Sequence, residues 1–146
     1  MSEKYRPDDS AIRADKGKER IRRALDEHRA KHGEMGRIIT SRDPGMNDIL
    51  YSLRRENMPP GYEQQQLPIS LKGPDVLFYL TTVDPGAIVP GHKHERDLWR
   101  VIVSGSIILD DGRELRSGDW MYVPAGEDYS FRAGLNPGAI IYHCYG

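Results

Sequence analysis

A single cysteine, Cys144, stands in 146 residues, so no disulfide forms within the chain. That fits a reducing compartment. Net charge is nearly absent: 21 Lys and Arg face 22 Asp and Glu, for a formal −1 and a pI of about 6.5. Such a balance implies no strong electrostatic partner. No apolar run approaches the roughly 18 residues of a membrane span. Met1-Ser2-Glu3-Lys4 does not open a signal peptide. The expectation is a soluble, cytoplasmic protein with neither a membrane nor a nucleic-acid partner. The length suits one domain with an extension, not two full domains.

What is present divides at about residue 65. Residues 1–65 read as an N-terminal extension with a helix near 10–32. Asp9-Ser10 can cap it, and Ile21, Ala24, Leu25 and His28 form one apolar stripe at i, i+3, i+4 and i+7. Gly33 is a natural stop. The rest of the helix is charged, so it needs a neighbour to lean on. Its basic residues (among them Arg13, Lys16, Arg20, Arg22 and Arg29) are interrupted by Asp15, Glu19, Asp26 and Glu27. No aromatic residues interleave as stacking platforms, which favours a solvated helix packed on the barrel or a partner subunit over a nucleic-acid contact. Further on, Gly36 to Thr40 predicts a short strand. Ile49-Leu50-Tyr51 fits either a strand or a short helix capped by Asn47 or Asp48. Met58-Pro59-Pro60-Gly61 is a sharp break. Gln64-Gln65-Gln66 is expected to be exposed.

Residues 66–146 alternate strand-like runs with tight turns. Leu67 to Leu71 and Val76 to Val83 predict strands, the second with apolar side chains on both faces. Leu98 to Val103 is apolar around Arg100. Ser106 to Leu109 leads into the hairpin signal Asp110-Asp111-Gly112. Further runs, Trp120 to Val123, Tyr129 to Arg132 and Ala139 to Tyr145, are separated by Pro124-Ala125-Gly126 and Gly134 to Gly138. Many short strands with regular punctuation argue a sandwich or barrel. Upstream of Leu98, His92 and His94 are two residues apart, so in a strand both imidazoles aim at one point. Two imidazoles with no cysteine nearby suit a borderline divalent metal such as Fe, Zn, Mn, Ni or Cu.

Gly86, His92, His94 and Gly105 stand at the positions of the first cupin motif, and Gly118, Pro124 and Gly126 at those of the second. The last 80 or so residues therefore resemble a cupin. The resemblance implies an all-β fold: a double-stranded β-helix, or jelly-roll barrel, at 66–146 behind a partly helical N-terminal extension. It also implies a metal of the Fe, Zn, Mn or Ni kind, a small-molecule substrate, and a homodimer with N-terminal segments laid across the partner. A monomer covered by its own helix is the competing view.

Two of the four usual ligands are absent. Leu98, preceded by Asp97, stands where the family has Glu, and Tyr129 stands where it has the third His. Tyr129 can supply a phenolate, or His143 can supply the third nitrogen if residues 129–145 form a simple hairpin. Equally, Tyr129 can fill the barrel with its hydroxyl bonded to His92 or His94. If Leu98 faces inward, so does Arg100, which then clamps a substrate carboxylate or enolate or pairs with Asp97, Glu95 or Asp128. The Glu-less His-x-His pattern looks most like the dioxygenase-type members, with metal ligands His92, His94 and His143, Tyr129 orienting substrate or donating a proton, and Arg100 binding it. The alternative is a metal-free ligand-binding or sensor cupin.

Overall fold

The structure, a computed structural model, describes residues 14–71 and 76–145. The expected helix caps at Asp9-Ser10 lie outside the described residues. Helix α1 spans Ala14–His32 and α2 spans Met46–Ser52. Eight strands follow: β1 Tyr62–Gln66, β2 Leu77–Val83, β3 Ile88–His92, β4 Leu98–Leu109, β5 Glu114–Arg116, β6 Trp120–Val123, β7 Tyr129–Ala133 and β8 Ala139–Tyr145. All pair antiparallel in the order β1-β2-β8-β4-β7-β3, with β5 and β6 also on β4. The sheet curls so that its inward residues form one core, including Leu77, Tyr79, Val89, Leu98, Ile102, Ile107, Phe131, Ile141 and Tyr145.

Strand β4 makes the curl. Its first half pairs with β8 and β6, its last residues with β5 and β7. The turn between the two halves falls at Gly105, whose φ is +73°. A Cβ there would stand 1.7 Å from the Gly138 carbonyl oxygen, so only glycine fits the crossing.

The apolar stripe of α1 forms as its spacing predicts. Ile21 and Ala24 are buried, and Ala24 and Leu25 pack with Met46, Ile49 and Leu53 of the α2 region. Gly33, at φ +84°, ends α1 by donating its N–H to the Arg29 carbonyl. The charges of α1 pair along its exposed face, as in Arg23–Glu19 and Arg22–Asp26. Buried Gly17 sets the helix against the barrel: a Cβ would lie 2.5 Å from Leu77 Cδ1, and its carbonyl accepts from Gln66 Nε2 at 2.9 Å.

Several local expectations change. Residues 36–40 form no strand, and Ile49 to Tyr51 are helical, following Gly45 rather than an Asn or Asp cap. Leu67 to Leu71 is not a strand; the pairing segment lies earlier, and β1 starts at Tyr62, ahead of residue 66. The glutamines are not an exposed run. Gln64 and Gln66 are 2% and 0% exposed, because they occupy the inward positions of β1 while Glu63 points out. The 129–145 segment is not a hairpin. β7 pairs with β3 and β4, whereas β8 pairs with β2 and β4, so Tyr129 and His143 are not opposite each other.

Candidate metal and anion site

His92 ends β3 and faces Tyr129 across the β3–β7 ladder. His94 lies just past the strand. Its carbonyl accepts from the Gly126 N–H at 2.8 Å, while the Asp97 carboxylate accepts from the Ala125 N–H at 2.9 Å. The Pro124-Ala125-Gly126 turn thus clasps the loop that carries His94, and Asp97 serves that clasp. Leu98, in the position of the missing Glu, is fully buried in the core.

The two imidazoles and the phenol converge. Ring centroids are 4.8 Å apart for His92 and His94 and 4.5 Å for His92 and Tyr129. His92 Nδ1 is 2.7 Å from the Pro90 carbonyl, which can only accept. In the neutral ring this places the proton on Nδ1 and a lone pair on Nε2. Arg100, 1% exposed, donates Nη2 to the Tyr129 hydroxyl at 3.2 Å. That hydroxyl lies 3.1 Å from His94 Nε2, so its proton has an acceptor in the second imidazole. Arg100 also lies over the Phe131 ring, 4.9 Å from its centroid.

His143 lies elsewhere on the barrel wall. It faces Arg100 on β4 and Tyr79 on β2, and stacks on the Tyr79 ring at 5.2 Å. Its Nε2 is 3.0 Å from Gln64 Nε2 and its Nδ1 is 3.2 Å from Thr81 Oγ1. The amide nitrogen donates, so Nε2 accepts and Nδ1 carries the proton. Burial pushes the His143 pKa well below its ordinary 6.5, reinforced by the charges of Arg100 and Arg55. Among the described residues no three His, Cys, Asp or Glu side chains gather as a metal-ligand group. The structure therefore brings together His92, His94, Tyr129 and Arg100, with His143 beside Arg100 and bonded to Gln64 and Thr81.

Two imidazole nitrogens with lone pairs and one phenol oxygen form a donor set that fits a borderline divalent cation. The orienting Pro90 carbonyl behind His92 is the kind of partner that fixes a ligand's tautomer. Sequence reasoning missed Arg55, Gln64 and Thr81. Inward alternation along β1 and β2 could have pointed to Gln64 and Thr81, though three consecutive glutamines conceal the first, and Arg55 lies ahead of both strands.

Residues 79–139 match a family model described as a cupin domain. Solved structures of like fold include KdgF from Halomonas sp., at 22% identity over 63% of this chain and 83% of that chain, with a TM-score of 0.53. The polyketide cyclase RemF from Streptomyces resistomycificus is similar at 18% identity over 77% and 79%, with a TM-score of 0.54. A chain of the Rhodobacter sphaeroides SigE complex with the anti-sigma ChrR is similar at 18% identity over 86% and 84%, again at 0.54. Among curated proteins, none matches the chain. The curled sheet and the match over residues 79–139 together show a cupin-type β-barrel fold behind two helices. No described helix is long and apolar enough to cross a membrane.

Proposed function

We propose that the chain is a small-molecule enzyme whose divalent metal (Fe, Zn, Mn or Ni) is held by His92 and His94, with Tyr129 as third donor. The observation that carries this reading is the convergence of His92, His94 and Tyr129, with the Pro90 carbonyl behind His92 Nδ1. His143, engaged by Gln64 and Thr81, is left as a structural neighbour. The ion would supply Lewis acidity or a position for dioxygen. The Glu-less His-x-His pattern supports dioxygenase-like chemistry on an enolisable or carboxylate-bearing substrate. Arg100 binds the anionic group of that substrate. Tyr129 orients it or gives a proton, which His94 is placed to exchange.

The outward residues of β4, β6 and β8 form an apolar strip. Trp99 lies opposite Tyr122, and Val101 lies between Trp120 and Tyr142. Trp120 and Tyr122 are 64% and 56% exposed. This strip supports a homodimer that buries it. The lone cysteine supports a reducing, cytoplasmic setting.

A second reading, a metal-free ligand-binding barrel, is favoured by one observation: His94 Nε2 already has a neutral partner in Tyr129. Elemental analysis of protein purified without added metal separates the two. The proposal predicts a stoichiometric metal that disappears in His92→Ala. Protein that takes up none, even when iron, zinc, manganese and nickel are offered, sinks it.

A further inference from the structure

His92 and His94 reach the site by different means. His92 ends β3 and is held by the β3–β7 ladder opposite Tyr129. His94 lies beyond that ladder, in the stretch 93–97 between β3 and β4. Its ring is nevertheless buried, and its Nε2 stands 3.1 Å from the Tyr129 hydroxyl. A donor on a loop needs a tether if it is to keep such a position.

That tether is the turn between β6 and β7. Glu127 donates its N–H to the Pro124 carbonyl at 3.2 Å, and Gly126 has φ +84°, the pattern of a type II turn. Such a turn leaves the amides of its two central residues unused. Both go to the His94 loop: the Gly126 N–H to the His94 carbonyl at 2.8 Å, and the Ala125 N–H to Asp97 Oδ1 at 2.9 Å. The same turn leads into Tyr129, which opens β7. Two bonds therefore join the segment of one donor to the segment of another.

Asp97 does not replace the missing Glu ligand. Leu98 is inward and fully buried, so Asp97 points the other way and is exposed. Its carboxylate is the stronger kind of acceptor for an amide. Asp97, Ala125 and Gly126 are all exposed, so water can replace their bonds at small cost in stability. Water cannot hold the loop in place. We propose that Asp97 is a positioning residue: through Ala125 it fixes the His94 loop against the turn that leads to Tyr129, and so sets the spacing of two of the three donors. This role rests on the reading of His94 and Tyr129 as donors to one ion.

Three variants of the full chain test it. Asp97→Ala removes the acceptor. Ala125→Pro removes the donor at a turn position that proline favours, and leaves the carboxylate in place. Asp97→Asn keeps an acceptor oxygen without the charge. In Co(II) titration of chelator-treated protein, Asp97→Ala and Ala125→Pro are expected to bind about tenfold or more weakly, and Asp97→Asn within about threefold of wild type. The double variant Asp97→Ala/Ala125→Pro is expected to be no weaker than the weaker single variant, because both cut one bond. Thermal midpoints are expected to stay within about 3 °C of wild type. Wild-type affinity in Asp97→Ala or Ala125→Pro, losses that add in the double variant, or equal losses in Asp97→Asn and Asp97→Ala overturn the proposal. So does a loss of affinity that merely follows a midpoint lowered by about 10 °C. The His94 imidazole signals in NMR spectra of the chelator-treated proteins keep this test apart from the metal reading. They are expected to move in Asp97→Ala and Ala125→Pro and to stay in place in Asp97→Asn. A wild type that takes up no ion defeats the metal reading, and the same signals, if unmoved in all three variants, defeat the role of Asp97.

Discussion

His143→Gln converts the polar cluster into a measurement of stability against pH. In the folded chain His143 is buried and neutral, its pKa held well below 6.5 by burial first and then by Arg100 and Arg55. In the unfolded chain it titrates near 6.5. Below that value the unfolded state binds a proton that the folded state refuses. Stability from this group is therefore complete above pH 6.5 and is lost as pH falls from there toward the folded pKa. Between pH 7.5 and 5.5 the unfolded state gains about 1.4 kcal/mol from this single proton. The variant also loses the bonds to Gln64 and Thr81, which lowers its stability at every pH by about 1–3 kcal/mol. That loss cancels when pH slopes are compared, as do the contributions of His28, His32, His92 and His94, which both proteins share. The assay is urea unfolding at pH 7.5, 6.5 and 5.5. The wild type is expected to lose about 1.4 kcal/mol more than His143→Gln across that range. Parallel slopes would refute the buried, neutral His143.

Gly105→Ala places a Cβ on the Gly138 carbonyl at a left-handed φ, and is expected to cost about 3 kcal/mol or more, read as a thermal midpoint lower by about 10 °C. An unchanged midpoint would show that β4 does not cross Gly138 there. Trp120→Glu is expected to turn a dimer into a monomer in light scattering, because the side chain is the most exposed of the outer aromatic strip; a monomeric wild type contradicts the assembly. Tyr129→Phe is expected to weaken metal affinity about tenfold or more, whereas unchanged affinity would reduce Tyr129 to a hydrogen-bond partner of His94.

The fold was legible where glycine and apolar alternation carried the information. Gly86, Gly105, Gly118 and Gly126 all adopt positive φ, so the motif spacing reports turns and a crossing that other residues do not make. Leu98, Arg100 and Ile102 point inward as their alternation implied. Polar inward positions were not legible. Gln64 and Gln66 look like a solvated run because burial of an amide depends on partners such as Arg55, His143 and Gly17, which come from distant parts of the chain. The proposed third ligand suffered from the same limit. Whether His143 or Tyr129 joins His92 depends on which strands pair, and β7 pairs with β3 rather than with β8. Residue spacing does not encode that choice.

The central claim is that His92 and His94 hold one ion together. Titrating chelator-treated protein with Co(II), followed by the ligand-field absorption of the bound ion, tests it in wild type and in the double variant His92→Ala/His94→Ala. The account predicts one equivalent bound in the wild type and none in the variant. Uptake that is absent from the wild type, or equal in the two proteins, contradicts it.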